Sequence, residues 1–484
     1  MISKPINEEA SAEHIELDST KAADQENQDE SARKLEKSLV RKLDMTLMPV
    51  IWILYLLNYL DRNNIAQAKL NGLEKDLGLK NEEYNTAISI LNVGYILMQL
   101  PSNMLLTRVR PSLYIPLWVC VWSCLSAATA AVHNYRQLVA IRFCLGFAEA
   151  PFFPGAFYLL SCWYPKKEIA LRTAVLYSGL VLATAFSGLL AAGIFAGLDG
   201  AHGLQGWRWL FIIEGAGSFF IAVATGFLLP DFPLSLTGSA KWLLTTEERE
   251  FAVRRIQNDQ VSNEEANRSV WYGAKSALKD YRVFVFALML CANHTAYGFN
   301  NFYPSIVEGF NLGSTIVTLV LTAPPYLVGA MVSFLVAWSS DRNRERGFHI
   351  SVSMSTAIIG FIISASLTRS GGQYFASFLY VSGCFAANSL VYTWAASALS
   401  QTSEKRAAAT AIINLLGQLG NIWSPYFFRG QDAPRYTLAL ILMIVFAGLS
   451  IGTCFVMKWI LTRDNKRLVA QFANAAQKPT LHTL

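Results

Sequence analysis

Charged residues are scarce in this chain, and their scarcity excludes an ordinary soluble protein. Only 15% of the 484 residues are charged and 53% are hydrophobic, whereas soluble domains carry about 25% charge. The mean hydropathy is +0.32. A membrane-spanning helix needs about 20 largely apolar residues. Segments of that kind cover 45–66, 84–107, 112–132, 136–160, 171–198, 207–229, 281–308, 315–338, 347–368, 372–399, 405–428 and 435–462.

Sequence signatures of enzymes and metal sites are also missing. There is no Gly-Lys-Ser/Thr phosphate loop and no His/Glu metal motif within an apolar segment. The seven cysteines lie in or beside apolar segments, where they behave as small hydrophobes. None of the six histidines stands at metal-ligand spacing from a cysteine or carboxylate. We therefore predict that the protein is not an enzyme and holds no metal or cofactor.

The segments divide into two groups of six. We predict an all-α membrane protein with twelve transmembrane helices in two six-helix halves. The predicted parts are a disordered N-terminal tail, the first half, a linker, the second half and a C-terminal tail, at 1–40, 41–229, 230–280, 281–463 and 464–484. The tail prediction depends on the polar, acid-rich composition of residues 1–33.

The positions of Lys and Arg predict the orientation. The connections after even-numbered segments are basic, as are the residues just outside the first and last segments, and cytoplasmic loops carry such an excess. Both termini and the linker are therefore predicted to be cytoplasmic. The net charge of +6 follows from this topology and indicates no nucleic-acid partner. We predict a monomeric multi-pass protein of the plasma membrane.

Four ionisable residues follow or interrupt apolar runs: Asp61, Arg62, Arg142 and Glu149. A charge at helix depth costs about 2.5–3.5 kcal/mol on insertion scales, so such residues usually face a polar cavity. Arg142 and Glu149 are two turns apart on one helix face, and Asp61 lies about 100° from Arg62 around its helix. The Arg guanidinium can donate two parallel hydrogen bonds to a carboxylate. Asp and Glu can take up protons in a partly dehydrated cavity.

We predict Arg62 and Arg142 as the groups that bind an anion, and Asp61 and Glu149 as the proton-coupling groups. The alternative is a static ion-pair network that holds the helices together. Neutral polar residues recur at helical spacing in other segments, and they can recognise a ligand without adding charge. We include Asn58, Tyr95, Asn300 and Asn414 in the substrate site, while hydrogen bonding between helices is the alternative for such amides and phenols.

The turn between the eighth and ninth segments contains Asp341, Arg342, Arg344 and Arg346 before Gly347. This turn resembles the cytoplasmic signature of the major facilitator superfamily, and Asp341, Arg342 and Arg346 would act in gating. Three further stretches resemble the anion:cation symporter branch, above all its fungal allantoate, nicotinate and pantothenate permeases. These are LNYLDRNNIAQA (57–68), GFAEAPFFPG (146–155) and GWRWLFIIEG (206–215).

The resemblance covers roughly residues 40–465 and implies the major facilitator fold and proton-coupled movement of an organic anion. We predict a symporter of a small monocarboxylate that works by alternating access, with a proton gradient instead of a cofactor. Its predicted partners are the anion, protons and the lipid bilayer. Two alternatives stay open: an exporter of an acidic secondary metabolite, and an anion sensor that does not transport. The short C-terminal tail favours transport over sensing.

Overall fold

Helices make up nearly all of the molecule. The computed structural model describes residues 8–80, 82–106, 109–233, 235, 237–261, 270–399, 403–471 and 483. Outside helices, the described chain has one isolated β-bridge, between Pro230 and Gly238. A chain that crosses lipid must satisfy its backbone N–H and C=O groups internally, and a helix does so within one segment. The all-α prediction is therefore confirmed.

Twelve long segments follow one another along the chain. We label them α1 (Glu8–Leu70), α2 (Glu83–Leu106), α3 (Pro111–Thr129), α4 (Tyr135–Glu149 and Phe152–Trp163), α5 (Lys166–Leu198), α6 (Gly206–Leu228), α7 (Tyr281–Ala296, Tyr297–Phe302 and Tyr303–Gly309), α8 (Thr315–Asn343), α9 (Gly347–Ser366), α10 (Ser370–Ala398), α11 (Ser403–Gly417 and Gly420–Trp423) and α12 (Thr437–Gln471). Among the described residues, ten helices are long and apolar enough to cross a membrane. The other two segments are α2 and α11, which carry several Asn and Gln side chains. The whole set agrees with the predicted twelve-helix fold.

The two halves are joined by a linker that packs beside the middle of α1. The linker contains the helices Thr246–Val261 and Val270–Lys279. Glu248 accepts hydrogen bonds from Ser38 Oγ (2.6 Å) and Lys42 Nζ (2.8 Å). Burial alone would raise the pKa of Glu248, but these donors hold it below its usual value. We call this side of the molecule the linker face and the opposite side the far face.

The N-terminal tail differs from its prediction. Disorder was predicted over 1–40, but α1 already begins at Glu8, and Leu39 is fully buried. The prediction is wrong for 8–40, while residues 1–7 lie outside the described part of the chain. The segment is rich in Ala, Glu, Lys and Gln, which favour helices. It also extends a membrane helix, so no separate nucleation step is needed.

The halves meet at the far face, where α2 contacts the end of α11 and the residues that follow it. Ser89 Oγ donates a hydrogen bond of 2.7 Å to the carbonyl oxygen of Ile422. Asn85 Nδ2 donates one of 3.1 Å to the carbonyl oxygen of Phe428. Both side chains are buried and lie in the first two turns of α2. These two hydrogen bonds hold the halves together at the far face.

Candidate functional site

The central feature of the first half is an ion pair between α1 and α4. Arg62 Nε donates a hydrogen bond of 2.5 Å to Glu149 Oε2. Glu149 is 1% exposed, whereas the Arg62 side chain keeps 17% of its exposure. We predicted separate roles for these two residues, and the structure brings them into direct contact.

Two local features put Glu149 in this position. The first segment of α4 ends at Glu149 and the second begins at Phe152, with Pro151 at the junction. Pro has no backbone N–H, so it interrupts the helix directly after Glu149. α2 also packs closely on α4, because a Cβ atom on Gly146 would collide with the carbonyl oxygen of Leu91. A larger residue at Gly146 would push the two helices apart.

Aromatic rings surround the Arg62 guanidinium. Its carbon lies 4.5 Å from the ring centre of Tyr95 on α2 and 5.3 Å from that of Tyr59. Both distances are in the range of cation–π attraction. Tyr55, one turn before Tyr59, packs edge-on against it at 5.1 Å. The structure thus places the predicted residue Tyr95 beside Arg62, on a flat aromatic surface next to the ion pair.

Three buried donors on the same helices lack a hydrogen-bond partner among the described residues: Arg142 Nη1, Asn58 Nδ2 and Asn63 Nδ2. Arg142 is 2% exposed, and its Nε reaches the carbonyl oxygen of Ala87 at 3.4 Å. Asn58 is 3% exposed and lies one turn before Arg62. An unsatisfied buried donor costs about 1–3 kcal/mol, and more when it is charged. An acceptor from a ligand or a water molecule would satisfy these groups.

Asp61 does not join the Arg62–Glu149 pair. It is fully buried and turned toward α3 and α6, where Ser126 Oγ donates to Oδ1 at 2.6 Å and Ser218 Oγ donates to Oδ2 at 3.3 Å. Successive residues on a helix point about 100° apart, which explains the separation from Arg62. The four ionisable residues predicted as one site are therefore divided between two environments.

The two site residues predicted in the second half are neutral. Asn300 Oδ1 accepts hydrogen bonds from Tyr297 (2.9 Å) and Tyr326 (2.6 Å). Asn414 Oδ1 accepts one from Tyr392 at 2.9 Å. The bonds from Tyr326 and Tyr392 match the alternative of hydrogen bonding between helices, because they join α7 to α8 and α10 to α11. They occupy the amide oxygens, so any direct contact of these residues with an anion involves the NH₂ groups.

The turn between α8 and α9 is held by charged side chains. Arg346 Nη2 lies 2.5 Å from Asp341 Oδ1, and the Arg342 guanidinium lies 5.5 Å from the ring centre of Trp338. Glu345 was not predicted, but it accepts a hydrogen bond of 2.6 Å from Lys458 on α12. Burial would raise the pKa of Glu345, whereas the donors around it hold the pKa below its usual value. The turn is thereby fixed to α12.

Glu214 on α6 is a further buried acid that sequence reasoning missed. It is 4% exposed, and Oε2 accepts a hydrogen bond of 2.6 Å from Nδ2 of the fully buried Asn64. The signal was present in the sequence, since this acid interrupts the apolar run of the stretch 206–215. The buried acids of the first half therefore include Asp61, Glu149 and Glu214.

Comparisons with a family model and with individual proteins point to the same family. The family model of the Major Facilitator Superfamily matches residues 51–425. The Major facilitator-type transporter hxnP of Emericella nidulans is 35% identical over 443 residues, which cover 89% of this chain and 87% of that protein. The MFS-type transporter cnsO of Penicillium expansum is 36% identical over 452 residues, covering 89% and 84% of the two chains.

Solved structures share the fold at low sequence identity. A bacterial homologue of the human lysosomal transporter Spinster, in an inward-facing and occupied conformation, gives a TM-score of 0.67 at 17% identity, covering 86% of this chain and 97% of that chain. A D-xylose-proton symporter gives 0.63 at 12% identity, covering 85% and 96%. At these identities the likeness concerns the fold alone.

Proposed function

This chain belongs to the major facilitator superfamily, and on that premise we propose that it is a proton-coupled symporter of small organic monocarboxylates. It is a multi-pass membrane transporter and not an enzyme. The observation that supports the proposed substrate and coupling is the contact between Arg62 and Glu149. In this contact the Glu149 carboxylate pairs with the Arg62 guanidinium, the cation that would bind an anionic substrate.

Coupling follows from competition for Arg62. While Glu149 is ionised, its carboxylate pairs with the guanidinium, and a substrate carboxylate would have to displace it. A proton on Glu149 removes the charge that Arg62 requires, and the substrate anion replaces it as the partner. Without either partner, Arg62 would be a buried charge with no counter-charge, which is strongly unfavourable. Proton and anion are therefore bound together.

The charge of the site supports a stoichiometry of one proton to one anion. Arg62 and Arg142 contribute two positive charges, while Asp61 and Glu149 contribute two negative charges when ionised. Adding one proton and one monocarboxylate leaves the total unchanged. A dicarboxylate would bring a second negative charge, and an uncompensated charge in a low-dielectric cavity is costly. The unpartnered Arg142 Nη1 and Asn58 Nδ2 are additional donors for the carboxylate.

The body of the ligand would contact neutral groups. Tyr59 and Tyr95 offer ring faces beside Arg62, and Asn300 and Asn414 offer amide groups from the opposite half. Aromatic or small polar monocarboxylates, such as nicotinate- or pantothenate-like molecules, fit this combination. Alternating access then requires the halves to rock about the occupied site, with Asp341, Arg342 and Arg346 at a hinge turn.

The proposed setting is the plasma membrane, with the linker face in the cytoplasm and the monomer as the working unit. Basic side chains of the connections and tails support this orientation. Arg172, Arg342 and Arg463 lie at the linker-face ends of α5, α8 and α12. No cofactor is proposed, because the proton gradient supplies the driving force.

Uptake into proteoliposomes tests the proposal. Purified protein is reconstituted with an acidic exterior, and radiolabelled organic acids and vitamins are screened, beginning with nicotinate and pantothenate. We expect a monocarboxylate to accumulate, a protonophore to abolish accumulation, and the corresponding neutral amide to compete poorly. Arg62→Ala, reconstituted at the same density, is the inactive control. Equal competition by the amide would contradict the anion site, and saturable binding without flux would indicate a sensor.

A further inference from the structure

Asp61 and Glu214 belong to one group of four side chains, which are joined in pairs by hydrogen bonds between α1 and α6. Asn64, one turn after Asp61, donates to Glu214 Oε2 at 2.6 Å. Ser218, one turn after Glu214, donates to Asp61 Oδ2 at 3.3 Å. Each helix thus contributes one acid and one neutral partner, and all four side chains are buried. This group is separate from the Arg62–Glu149 pair.

The two acids of this group have different neighbours. Asp61 has a hydroxyl group at each oxygen, with Ser126 Oγ at Oδ1 and Ser218 Oγ at Oδ2. Glu214 has a donor at Oε2 only. Its Oε1 has no hydrogen-bond partner among the described residues, and neither has the Oδ1 atom of its partner Asn64. While Glu214 is ionised, Glu214 Oε1 and Asn64 Oδ1 can only accept hydrogen bonds, so they cannot form one with each other.

A proton on Glu214 Oε1 resolves this mismatch. The carboxylic acid then donates its O–H to Asn64 Oδ1, while Asn64 Nδ2 continues to donate to Oε2, which closes a ring of two hydrogen bonds. We propose that Glu214 is a permanently protonated carboxyl that forms a cyclic acid–amide pair with Asn64 and, by holding α1 against α6, positions Asp61 beside Ser218. Glu214 is thus a positioning residue, and Asp61 is the titratable acid of the group.

The charged groups around Glu214 favour its neutral form. Asp61 on α1 is an acid and offers no compensation, and α3 contains no charged residue. The charged residues of α5 are confined to its first two turns, at the linker face. Arg208, six residues before Glu214 on α6, lies 2.8 Å from Asp76 and donates to the carbonyl oxygen of Val132 at 3.1 Å. A buried carboxylate without a cation is strongly unfavourable.

The difference between the infrared spectra of the wild type and of Glu214→Gln, both purified and reconstituted in lipid, tests this state directly at each pH. The C=O stretching band of a protonated carboxylic acid should be present in the wild type, be missing in Glu214→Gln, and keep its amplitude over the pH range in which Glu149 and Asp61 titrate. Loss of that band with rising pH, or its absence from the wild type, would overturn the proposal. This measurement needs no substrate, so it stands whether or not the proposed function is correct.

The transport experiment rests on the proposed function and separates positioning from proton binding. Gln can form the same two hydrogen bonds with Asn64, so Glu214→Gln should retain uptake and its pH profile. Glu214→Leu and Asn64→Leu should each reduce uptake about tenfold and shift the pH profile, because each leaves a buried polar partner unsatisfied. If Glu214→Gln retained exchange but lost accumulation on a pH gradient, Glu214 would be a proton-coupling acid and the proposal would be wrong.

Discussion

The two halves of this transporter place different chemistry around the space between them. The first half holds buried charges in the middle of its helices, with Arg62 on Glu149, Arg142 nearly unpaired and Asp61 among serines. In the described part of the second half, buried Asp, Glu, Lys and Arg side chains occur at the linker-face ends of helices: Asp280, Arg282 and Lys405. Its middle is neutral.

This difference suggests a division of labour. Charged groups that exchange partners can couple a proton to an anion, and in the proposed mechanism one negative charge replaces another at Arg62. Neutral amides and phenols keep their hydrogen bonds whatever the pH, and they can discriminate the shape and polarity of the ligand. The first half would therefore set coupling, and the second half would tune specificity. Substitutions in each half test these two roles.

Removing the cation in the first half should have the largest effect. Arg62→Ala should abolish uptake while membrane expression is retained, because the substrate carboxylate loses its partner. Arg62→Lys keeps the charge but loses the planar fork, so affinity should fall strongly. Initial rates of radiolabelled nicotinate or pantothenate uptake, normalised to protein in the membrane, measure both. Normal kinetics in Arg62→Ala would remove Arg62 from the substrate site.

Neutralising the competing acid should separate binding from coupling. Glu149→Gln mimics the protonated carboxyl, so substrate should still bind and exchange across the membrane. Accumulation on a pH gradient should disappear, because no proton has to enter for Arg62 to be released. Counterflow and gradient-driven uptake in the same proteoliposomes distinguish the two activities. Gradient-driven accumulation that survives in Glu149→Gln would shift the coupling role to Asp61.

Changes in the second half should be milder. Tyr326→Phe removes the hydrogen bond of 2.6 Å to Asn300 Oδ1, and Tyr297→Phe, which removes that of 2.9 Å, is its matched control. We expect KM to change by about 2–10-fold, the equivalent of one hydrogen bond, with pH-driven accumulation intact. Loss of coupling in either variant would contradict the division between the halves.

The charged cluster at the linker face of the second half should affect stability and leave coupling intact. Lys405 Nζ and Arg282 Nη2 lie 2.6 and 2.8 Å from Asp280 Oδ2. Burial would raise the pKa of Asp280, but these donors lower it to about 2. The ionised form is therefore stabilised above the ordinary pKa near 4, and this stabilisation is lost as the pH falls toward 2.

Asp280→Asn should lower the free energy of unfolding by roughly 1–3 kcal/mol at neutral pH. The difference from the wild type should shrink as the pH approaches 2. Thermal unfolding in detergent at several pH values measures this change, and counterflow shows whether transport is intact. An Asp280→Asn variant with wild-type stability but uncoupled transport would place a functional charge in the second half.

The sequence carried much of this arrangement in its local patterns. Apolar runs predicted the helices, and charges within or beside them marked Asp61, Arg62, Arg142 and Glu149. The 100° separation of Asp61 from Arg62 followed from helix geometry. Each of these features depends on residues within a few turns of one helix.

Contacts between distant segments could not be derived in this way. Arg62 and Glu149 are 87 residues apart, and their pairing depends on how closely α1, α2 and α4 pack. The bond of Asn300 to Tyr326 depends on packing between α7 and α8. Glu214 was visible as an acid in an apolar run, but its partner Asn64 is 150 residues away. The helical tail before residue 40 was missed because its composition suits a helix as well as disorder.

The central claim is that Glu149 and the substrate carboxylate compete for Arg62. Its most direct test is the affinity of purified protein for nicotinate, or for the monocarboxylate identified by the uptake screen, measured at several pH values in the wild type and in Glu149→Gln. We predict that wild-type affinity rises as the pH falls, because protonated Glu149 releases Arg62, and that Glu149→Gln binds tightly at every pH. The same pH dependence in both proteins would contradict the account.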